Sequence, residues 1–309
     1  MQASLVSVIC LSHNHEPFIE EAIGSVIHQS HDHIEIIMVD DCSKDNTPKK
    51  IRDLDQKYPF IQSIFLSENV GNCKAFNIGL SKAKGDFIID LAADDILHPD
   101  RITEGLNDFS KYGLEYGVNY TDAAYINRSG EMIGYHYKRD KNGRLISAVP
   151  EGAIYKDLLA KYFICTPTMM TRKSIYDQLG GYDEDLSYED FDFWIRSGRI
   201  TKYCYTNKVL VKKRILKDSL STRQYTSNSQ MLQSTYKVCL KAEKLNESDE
   251  DRRALVQRVK YEYRKALLSG NRLIAFDLSS ILIRNMNPGI RRYFFKIMNN
   301  LLKIIYAHK

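Results

Sequence analysis

The first 95 residues alternate between short β-branched apolar runs and amphipathic stretches, and this alternation constrains the fold more than any other feature of the chain. Period-2 or fully apolar runs predict strands, whereas apolar residues at helical spacing predict helices. Because each helix would join two strands through short loops, the strands should be parallel and the fold an α/β sheet flanked by helices. The predicted strands are 5–12, 34–41, 61–67 and 86–92, and the predicted helices are 16–29, 48–58 and 69–85.

The pattern changes after residue 100. Two alternating runs within 118–137, joined by "NRSG", predict a hairpin, and 166–198 predicts a strand, a short helix, a glycine turn, an acidic loop and a second helix. From about residue 225 the pattern is helical, with a break at "NPG" (287–289). We therefore predict a first domain over 1–222 and a helical region over 223–309.

Composition places the chain among ordinary globular proteins, with 43% hydrophobic and 27% charged residues. No run reaches about 18 apolar residues, so we expect no membrane-spanning helix, and the first residues lack the pattern of a secretion signal. Six cysteines without C-x-x-C spacing favour free thiols over zinc ligands or disulfides. These features predict a cytoplasmic protein.

The charge is unevenly distributed. Residues 251–309 contain 13 Lys and Arg against 3 Asp and Glu, although the whole chain is only +5. The segment 289–309 predicts a basic amphipathic helix, which suits peripheral contact with the inner face of the cytoplasmic membrane. Docking on its own domain or on a second subunit of a homo-oligomer is the alternative. No nucleic-acid-binding motif accompanies the cations, so no nucleic-acid partner is expected.

Polar side chains follow three of the four predicted strands. Ligands of parallel sheets bind beyond the carboxyl ends of the strands, so these clusters predict one shared site. The clusters are Ser12, His13 and Asn14 after the first strand, Asp40 and Asp41 after the second, and Asp94 and Asp95 after the fourth.

Adjacent carboxylates repel each other unless a positive group lies beside them. Asp94 and Asp95 can hold Mg²⁺ or Mn²⁺, which prefer oxygen ligands and can in turn hold a diphosphate. The alternative is a pair of solvated loop acids or a helix N-cap. Neither G-x-G-x-x-G after the first strand nor G-x-x-x-x-G-K-[ST] occurs, which disfavours a Rossmann dinucleotide site and a P-loop.

Four ordered stretches carry a family resemblance over about the first 220 residues: "VSVICLSHNHEPFIEEAIGSVIHQS", "IEIIMVDDCSKDNT", "NVGNCKAFNIGLSKAKGDFIIDLAADDILHPDRI" and "YEDFDFWIR". The chain resembles the family 2 inverting glycosyltransferases with a GT-A fold, of the bacterial surface-polysaccharide and lipopolysaccharide type. The resemblance implies transfer of a sugar from a nucleotide-sugar, usually a UDP-sugar, to a hydroxyl of a glycan or lipid-linked acceptor. It also implies Mn²⁺ or Mg²⁺ under the diphosphate, a nucleotide-binding half over 1–100 and an acceptor half over 101–222.

The resemblance assigns roles to individual residues. By its match, Asp41 should accept from the uracil N–H with support from Asp40, and His13 should stack on the base. Asp94 and Asp95 match the last two acids of the metal motif, one of them on the ion directly and one on ribose or on the ion through water. The implied nucleotide-binding set is Ser12, His13, Asn14, Asp40, Asp41, Asn69, Lys74 and Asp94.

The acidic loop "YEDFDFWIR" (188–196) matches the family's catalytic loop. Asp190 is implied to be the general base that takes the acceptor's proton, with Glu189 beside it. The sugar–diphosphate bond would break on the opposite face, so that configuration inverts in a single displacement. The structural alternative is a helix N-terminus, where acids favour the macrodipole.

Four positions depart from the family pattern: Ala92 replaces the first metal acid, Phe76 a common arginine, His13 an aromatic residue and Leu216 a histidine. Arg214 or Lys217 is expected to supply the lost positive charge. These departures keep open a non-catalytic nucleotide-sugar binder or scaffold protein. A sugar nucleotidyltransferase is less favoured, because "CLSHNHEPF" lacks a glycine-rich phosphate loop.

Overall fold

The computed structural model describes residues 4–216 and 224–285, which divide into two compact units. The first unit comprises 4–154 and 163–216, and the second comprises 155–162 and 224–285. The predicted boundary between residues 222 and 223 lies outside the described residues and stays a prediction, as do the break at 287–289 and the basic helix at 289–309.

The first unit begins with the predicted alternation of strands and helices. The elements are β1 (Val6–Ser12), α1 (Ile19–Ile27), β2 (Ile34–Asp40), α2 (Thr47–Lys57), β3 (Ile61–Phe65), α3 (Asn72–Leu80), β4 (Phe87–Ala92), β5 (Ile96–Leu97) and α4 (Arg101–Tyr112). Strands β1 and β2 are buried along most of their length because helices cover both faces of a parallel sheet.

The remainder of the first unit extends this sheet. It contains β6 (Tyr116–Ile126), β7 (Met132–Tyr135), β8 (Met170–Arg172), α6 (Lys173–Leu179), α7 (Asp190–Ser197) and β9 (Lys202–Arg214). Within the described residues nine strands form one sheet in the order β3-β2-β1-β4-β8-β6-β9-β5, with β7 paired to β6. The first four strands are mutually parallel, whereas β8 runs antiparallel to both β4 and β6. The predicted hairpin is β6–β7, whose strands pair antiparallel. Because the sheet contains both parallel and antiparallel pairs, it is mixed.

Close packing of α3 on the sheet explains one glycine. A Cβ added at Gly79 would lie 2.6 Å from Ile9 Cγ2 and 3.1 Å from Val39 Cγ2. The helix can therefore approach β1 and β2 only because this position has no side chain.

The second unit is helical in its described part. It contains α5 (Tyr155–Ala160), α8 (Gln230–Leu245), α9 (Asp249–Leu268) and α10 (Arg272–Asn285). Ser248 caps α9 through a reciprocal hydrogen-bond pair with Asp251. The buried guanidinium of Arg258 on α9 donates to Glu262 (3.0 Å) and to the carbonyl of Leu159 on α5 (3.2 Å). No helix of the described residues combines the length and apolar character needed to cross a bilayer.

Candidate active site

The carboxyl ends of β1, β2 and β4 lie side by side. Ser12 at the end of β1 is in register with Asp40 at the end of β2, and Leu11 is in register with Ala92 at the end of β4. The polar residues that follow these strands therefore meet at one edge of the sheet, as their positions in the sequence predict.

Asp40 organises the turn after β2. Its carboxylate accepts from the Ser12 hydroxyl (3.2 Å), from the Ser43 backbone N–H (3.0 Å) and from the Ser43 hydroxyl (2.5 Å). The side chain is only 2% exposed, so these donors replace the water that an ionised carboxylate requires. Asp40 thus links the end of β1 to the turn after β2.

Asp41 connects the turn to the start of α3. One carboxylate oxygen accepts from Val70 N–H (2.7 Å) and the other from Gly71 N–H (3.0 Å). Gly71 has a φ of +83°, a conformation that favours glycine and turns its N–H towards the acid. His13 Nδ1 lies 2.7 Å from the Asp41 carbonyl oxygen, and Asn69 Nδ2 donates to the same oxygen at 3.3 Å. The structure therefore brings together three residues of the predicted nucleotide-binding set.

The loops after β1 and β2 hold each other. Asn14 N–H donates to the Ser43 hydroxyl at 2.9 Å, and Lys44 N–H donates to Asn14 Oδ1 at 2.7 Å. Asn14 and Cys42 both have positive φ, at 58° and 62°. Left-handed backbone at two non-glycine residues costs on the order of 1–3 kcal/mol each, and such strain clusters at functional sites.

His15 belongs to the same edge, although our sequence prediction did not include it. Its Nδ1 is buried and has no hydrogen-bond partner among the described residues. Burial lowers the pKa of the imidazole, against the opposing influence of Asp94, so the ring is neutral near pH 7. The only signal in the sequence is that a second histidine follows His13 two positions later.

Asp94 and Asp95 have different environments. Asp95 is 3% exposed, and its Oδ1 accepts from the Arg214 backbone N–H at 2.8 Å, because β5 pairs with β9. Burial, followed by the charge of Asp94, raises the pKa of Asp95 to about 8. Asp94 is half-buried and lies within electrostatic reach of His15. Of the two acids, Asp94 is therefore the one available to a ligand.

Asp94 and Asp95 suit a divalent cation that is also held by a substrate phosphate. No three His, Cys, Asp or Glu side chains of residues 4–216 and 224–285 come together as a ready-made metal site. Mg²⁺ and similar ions are, however, often held by one or two carboxylates together with substrate phosphates. Asp94, with Asp95 beside it, suits an ion that arrives with a diphosphate rather than an ion held permanently by protein ligands.

Arg214 does not supply the free cation that the sequence suggested. Its guanidinium donates to the carbonyls of Asp94, Asn127 and Arg128 and forms an ion pair with Glu21 at 2.7 Å. The residue is 3% exposed, and its positive charge lies over the Phe18 ring at 4.7 Å. Arg214 therefore holds the loops around Asp94 in place. Lys217, the other cation considered, lies outside the described residues.

The predicted catalytic acids stand at the start of α7. Glu189 accepts from Asn72 Nδ2 at 2.6 Å, and Asn72 is the first residue of α3, immediately after the loop held by Asp41. Asp190 Oδ1 is buried without a hydrogen-bond partner among the described residues. Glu189 and Asp190 stand at the first positions of α7, where acids also favour the helix macrodipole, as the structural alternative predicts.

A third carboxylate, Asp90 on β4, lies near these two. Burial raises the pKa of Glu189 well above its ordinary value, and Asp190 and Asp90 raise it further. Burial also raises the pKa of Asp190, but a hydrogen bond from Thr166 and the charge of Lys213 oppose that rise. Burial raises the pKa of Asp90 to about 7 against a 3.0 Å hydrogen bond from Tyr182. Burial therefore favours the protonated form of Glu189 most strongly, whereas Thr166 and Lys213 favour the charged form of Asp190.

The comparison with protein families decides the assignment. The family model described as "Glycosyl transferase family 2" matches residues 7–180, which is more than half of the chain. The chain belongs to glycosyl transferase family 2. This match includes β1 to β8 and every predicted nucleotide-binding and metal residue, and it ends before Glu189 and Asp190.

Two similar glycosyltransferases show how far the similarity extends. An uncharacterized glycosyltransferase of Rickettsia typhi is 28% identical over 212 residues, which are 68% of this chain and 64% of that protein. The putative teichuronic acid biosynthesis glycosyltransferase TuaG of Bacillus subtilis is 28% identical over 229 residues, covering 72% of this chain and 83% of TuaG.

Solved structures confirm the predicted fold class, because the neighbours are GT-A glycosyltransferases. The S. aureus TarS 1–349 complex with UDP-GlcNAc aligns with a TM-score of 0.67 at 16% identity, over 91% of this chain and 79% of that one. The Pyrobaculum calidifontis mannosyltransferase PcManGT, in complex with GDP-Man and Mn²⁺, aligns with a TM-score of 0.58 at 16% identity, over 98% and 88%. Identities this low establish the shared fold alone.

One departure from the family 2 pattern now has a structural setting. Phe76, where an arginine is common, is fully buried and stacks on Tyr182 with ring centroids 4.2 Å apart. Lys74, two residues earlier on α3, is exposed. The side chain at position 76 of α3 therefore packs in the hydrophobic core and does not face a ligand.

The second unit contains a groove of about 1230 Å³ that holds none of the predicted nucleotide-binding or catalytic residues. It runs along α9 and α10 and is predominantly basic. Its charged lining residues are Asp249, Arg252, Arg253, Lys260, Arg264 and Arg284.

Proposed function

We propose that this chain is a metal-dependent inverting glycosyltransferase that moves a sugar from a nucleotide-sugar, in the first instance a UDP-sugar, to an acceptor hydroxyl. The observation that carries the proposal is the link from the nucleotide edge to the acidic loop. Asp41 holds the backbone of Gly71, and Asn72, the next residue, donates to Glu189 beside Asp190. A nucleotide on Asp41 would therefore lie close to a buried base.

Asp190 acts as the general base in this proposal. Its unpartnered Oδ1 accepts the proton as the acceptor O–H bond breaks and the oxygen attacks the anomeric carbon. The bond from that carbon to the β-phosphate oxygen breaks on the opposite face, and its electron pair leaves with the diphosphate. Glu189 keeps its proton and stabilises the Asp190 carboxylate by hydrogen bonding.

The remaining roles are those that the family resemblance implies. Asp41, His13 and Asn69 bind the base, Asp40 and Ser12 support them, and Asp94 holds the ion together with the diphosphate. Mn²⁺ or Mg²⁺, when bound, neutralises charge on the departing diphosphate. The Mn²⁺ in the PcManGT structure supports a divalent ion for this fold.

The acceptor we propose is a glycan or lipid-linked glycan of a bacterial cell envelope, supported by the similarity to TuaG. Contact with a membrane surface and self-association both depend on 289–309, which lies outside the described residues.

A non-catalytic nucleotide-sugar binder is the second candidate. The observation that favours it is that Ala92 and Leu216 replace two expected metal-site residues, and that no three-ligand site forms among the described residues.

UDP release from a panel of UDP-sugars with Mn²⁺ and candidate acceptors distinguishes the two. We expect turnover by the wild type and a loss of about 10²–10⁴-fold in kcat for Asp190→Asn, with UDP binding retained. Asp185→Asn is the matched control, because Asp185 is an exposed acid of the same loop. Binding of UDP without turnover for any donor and acceptor would favour the binder, and an Asp190→Asn variant as active as the control would exclude Asp190 as the base.

A further inference from the structure

Lys213 lies near the carboxyl end of β9. It is the penultimate residue of β9 and lies in register with Tyr125 on β6. The next residue, Arg214, donates its backbone N–H to Asp95. Alternate residues of a strand face opposite sides, so Lys213 shares a side with Tyr125, whereas Lys212 and Arg214 face the other way.

Asp95 and the proposed base, Asp190, both influence the pKa of the Lys213 ammonium. Burial opposes the charge of Lys213, but Cys165, Asp95 and Asp190 favour it, and the net effect raises the pKa of the lysine above its ordinary value. In turn, the charge of Lys213 opposes the rise in pKa of both Asp95 and Asp190. The charge of Lys213 therefore acts on both Asp95 and the proposed base, Asp190.

Lys213 nevertheless forms no direct ion pair with a carboxylate of the described residues. Within residues 4–216 and 224–285, no carboxylate oxygen lies within 4.0 Å of its Nζ, in contrast to the pairs made by Arg214 with Glu21 and Arg139 with Asp122. A purely structural counter-ion that is largely removed from water would be expected to contact its acid directly. The ammonium has three donors and no acceptor capacity, so an unengaged position here suits an anionic ligand.

We propose that Lys213 binds the β-phosphate of the donor's diphosphate and stabilises the leaving group. This inference rests on the proposed function. The diphosphate would otherwise face the carboxylates of Asp94 and Asp190 with only the divalent ion to offset their charges. Arg214 is fully engaged with its neighbours, and position 216 is a leucine. Lys213 keeps its proton throughout, and its hydrogen bond strengthens as the electron pair moves onto the phosphate oxygen.

The test compares UDP with uridine, in EDTA and in Mn²⁺, by calorimetry on the full chain. Lys213→Met should weaken UDP binding by about 10- to 100-fold, the range expected for one charge-assisted hydrogen bond, and should leave uridine binding unchanged. Lys212→Met is the matched control, since it removes the same charge from the neighbouring, exposed position of β9. Lys213→Arg, which keeps the charge, should bind UDP within a few-fold of the wild type.

Each outcome has a defined meaning. If the wild type binds neither UDP nor uridine, the proposed function fails before Lys213 is tested. If Lys213→Met weakens UDP and uridine equally, or weakens neither, Lys213 is a structural counter-ion and the inference is overturned. Should Lys213→Met fail to fold, the wild type alone remains informative, because the inference requires UDP to bind more tightly than uridine in EDTA; equal affinities would overturn it.

Discussion

The contact of Asp41 with the start of α3 allows a prediction with a calculable size. The carboxylate is 7% exposed and accepts two backbone N–H groups, from Val70 at 2.7 Å and Gly71 at 3.0 Å. A hydrogen bond to a charged group contributes about 1.5–3 kcal/mol to stability. Asp41→Ala removes both and should therefore lower the free energy of unfolding by about 3–6 kcal/mol. Asp41→Asn keeps one acceptor oxygen and should lose about half of that.

Two measurements check this prediction. Urea unfolding gives the loss of stability, with Asp53→Asn on the exposed surface of α2 as the control for removing one negative charge. Hydrogen exchange gives the local effect, because the Val70 and Gly71 amides should exchange faster in Asp41→Ala than in the wild type while amides of β1 change less. If both amides are as protected in Asp41→Ala as in Asp53→Asn, the carboxylate does not hold the loop, and our explanation of how the edge is organised is wrong.

Two further predictions concern buried groups. Asp90 has a folded pKa of about 7, above its unfolded value, so the stability it contributes is complete below pH 4 and is lost as pH rises to about 7. Asp90→Asn, which mimics the protonated acid, should thus come close to the wild type at pH 4 and exceed its free energy of unfolding by on the order of 4 kcal/mol at pH 7.5, as measured by urea titration at the two pH values; an equal difference at both would refute the assignment. Restoring the common family residue with Phe76→Arg should destabilise the chain by about 3 kcal/mol or more, and by more than Phe76→Leu, because it places a charge in an aromatic core; a stable Phe76→Arg variant with tighter UDP binding would contradict this.

The first half of the sheet was predictable because its signals are local. The runs at 5–12 and 34–41 are apolar, end in polar residues and are separated by one amphipathic stretch, so β1, β2 and the position of Asp40 follow from the sequence alone. Parallel strands place their carboxyl ends at one edge of the sheet, so the polar clusters that follow these strands could be predicted to lie together.

The second half depends on pairing between distant residues. Strand β5 has only two residues, and its partner β9 lies more than 100 positions later. Nothing in the local pattern around Lys213 indicates that this pairing will bring it near Asp95. Asp90 and His15 were missed for a related reason, since an acid within a strand or a second histidine in a loop acquires a role only from what packs around it.

The short helix α5 has a consequence for how the protein can be made. Residues 155–162 are synthesised in the middle of the first unit but belong to the second, where the carbonyl of Leu159 accepts from Arg258. A nascent chain must therefore carry the apolar side chains of Leu158 and Leu159 uncovered until about a hundred more residues have left the ribosome. Truncation anywhere before α9 would make that temporary exposure permanent, so a fragment ending near residue 222 should aggregate even though the sheet it contains is complete.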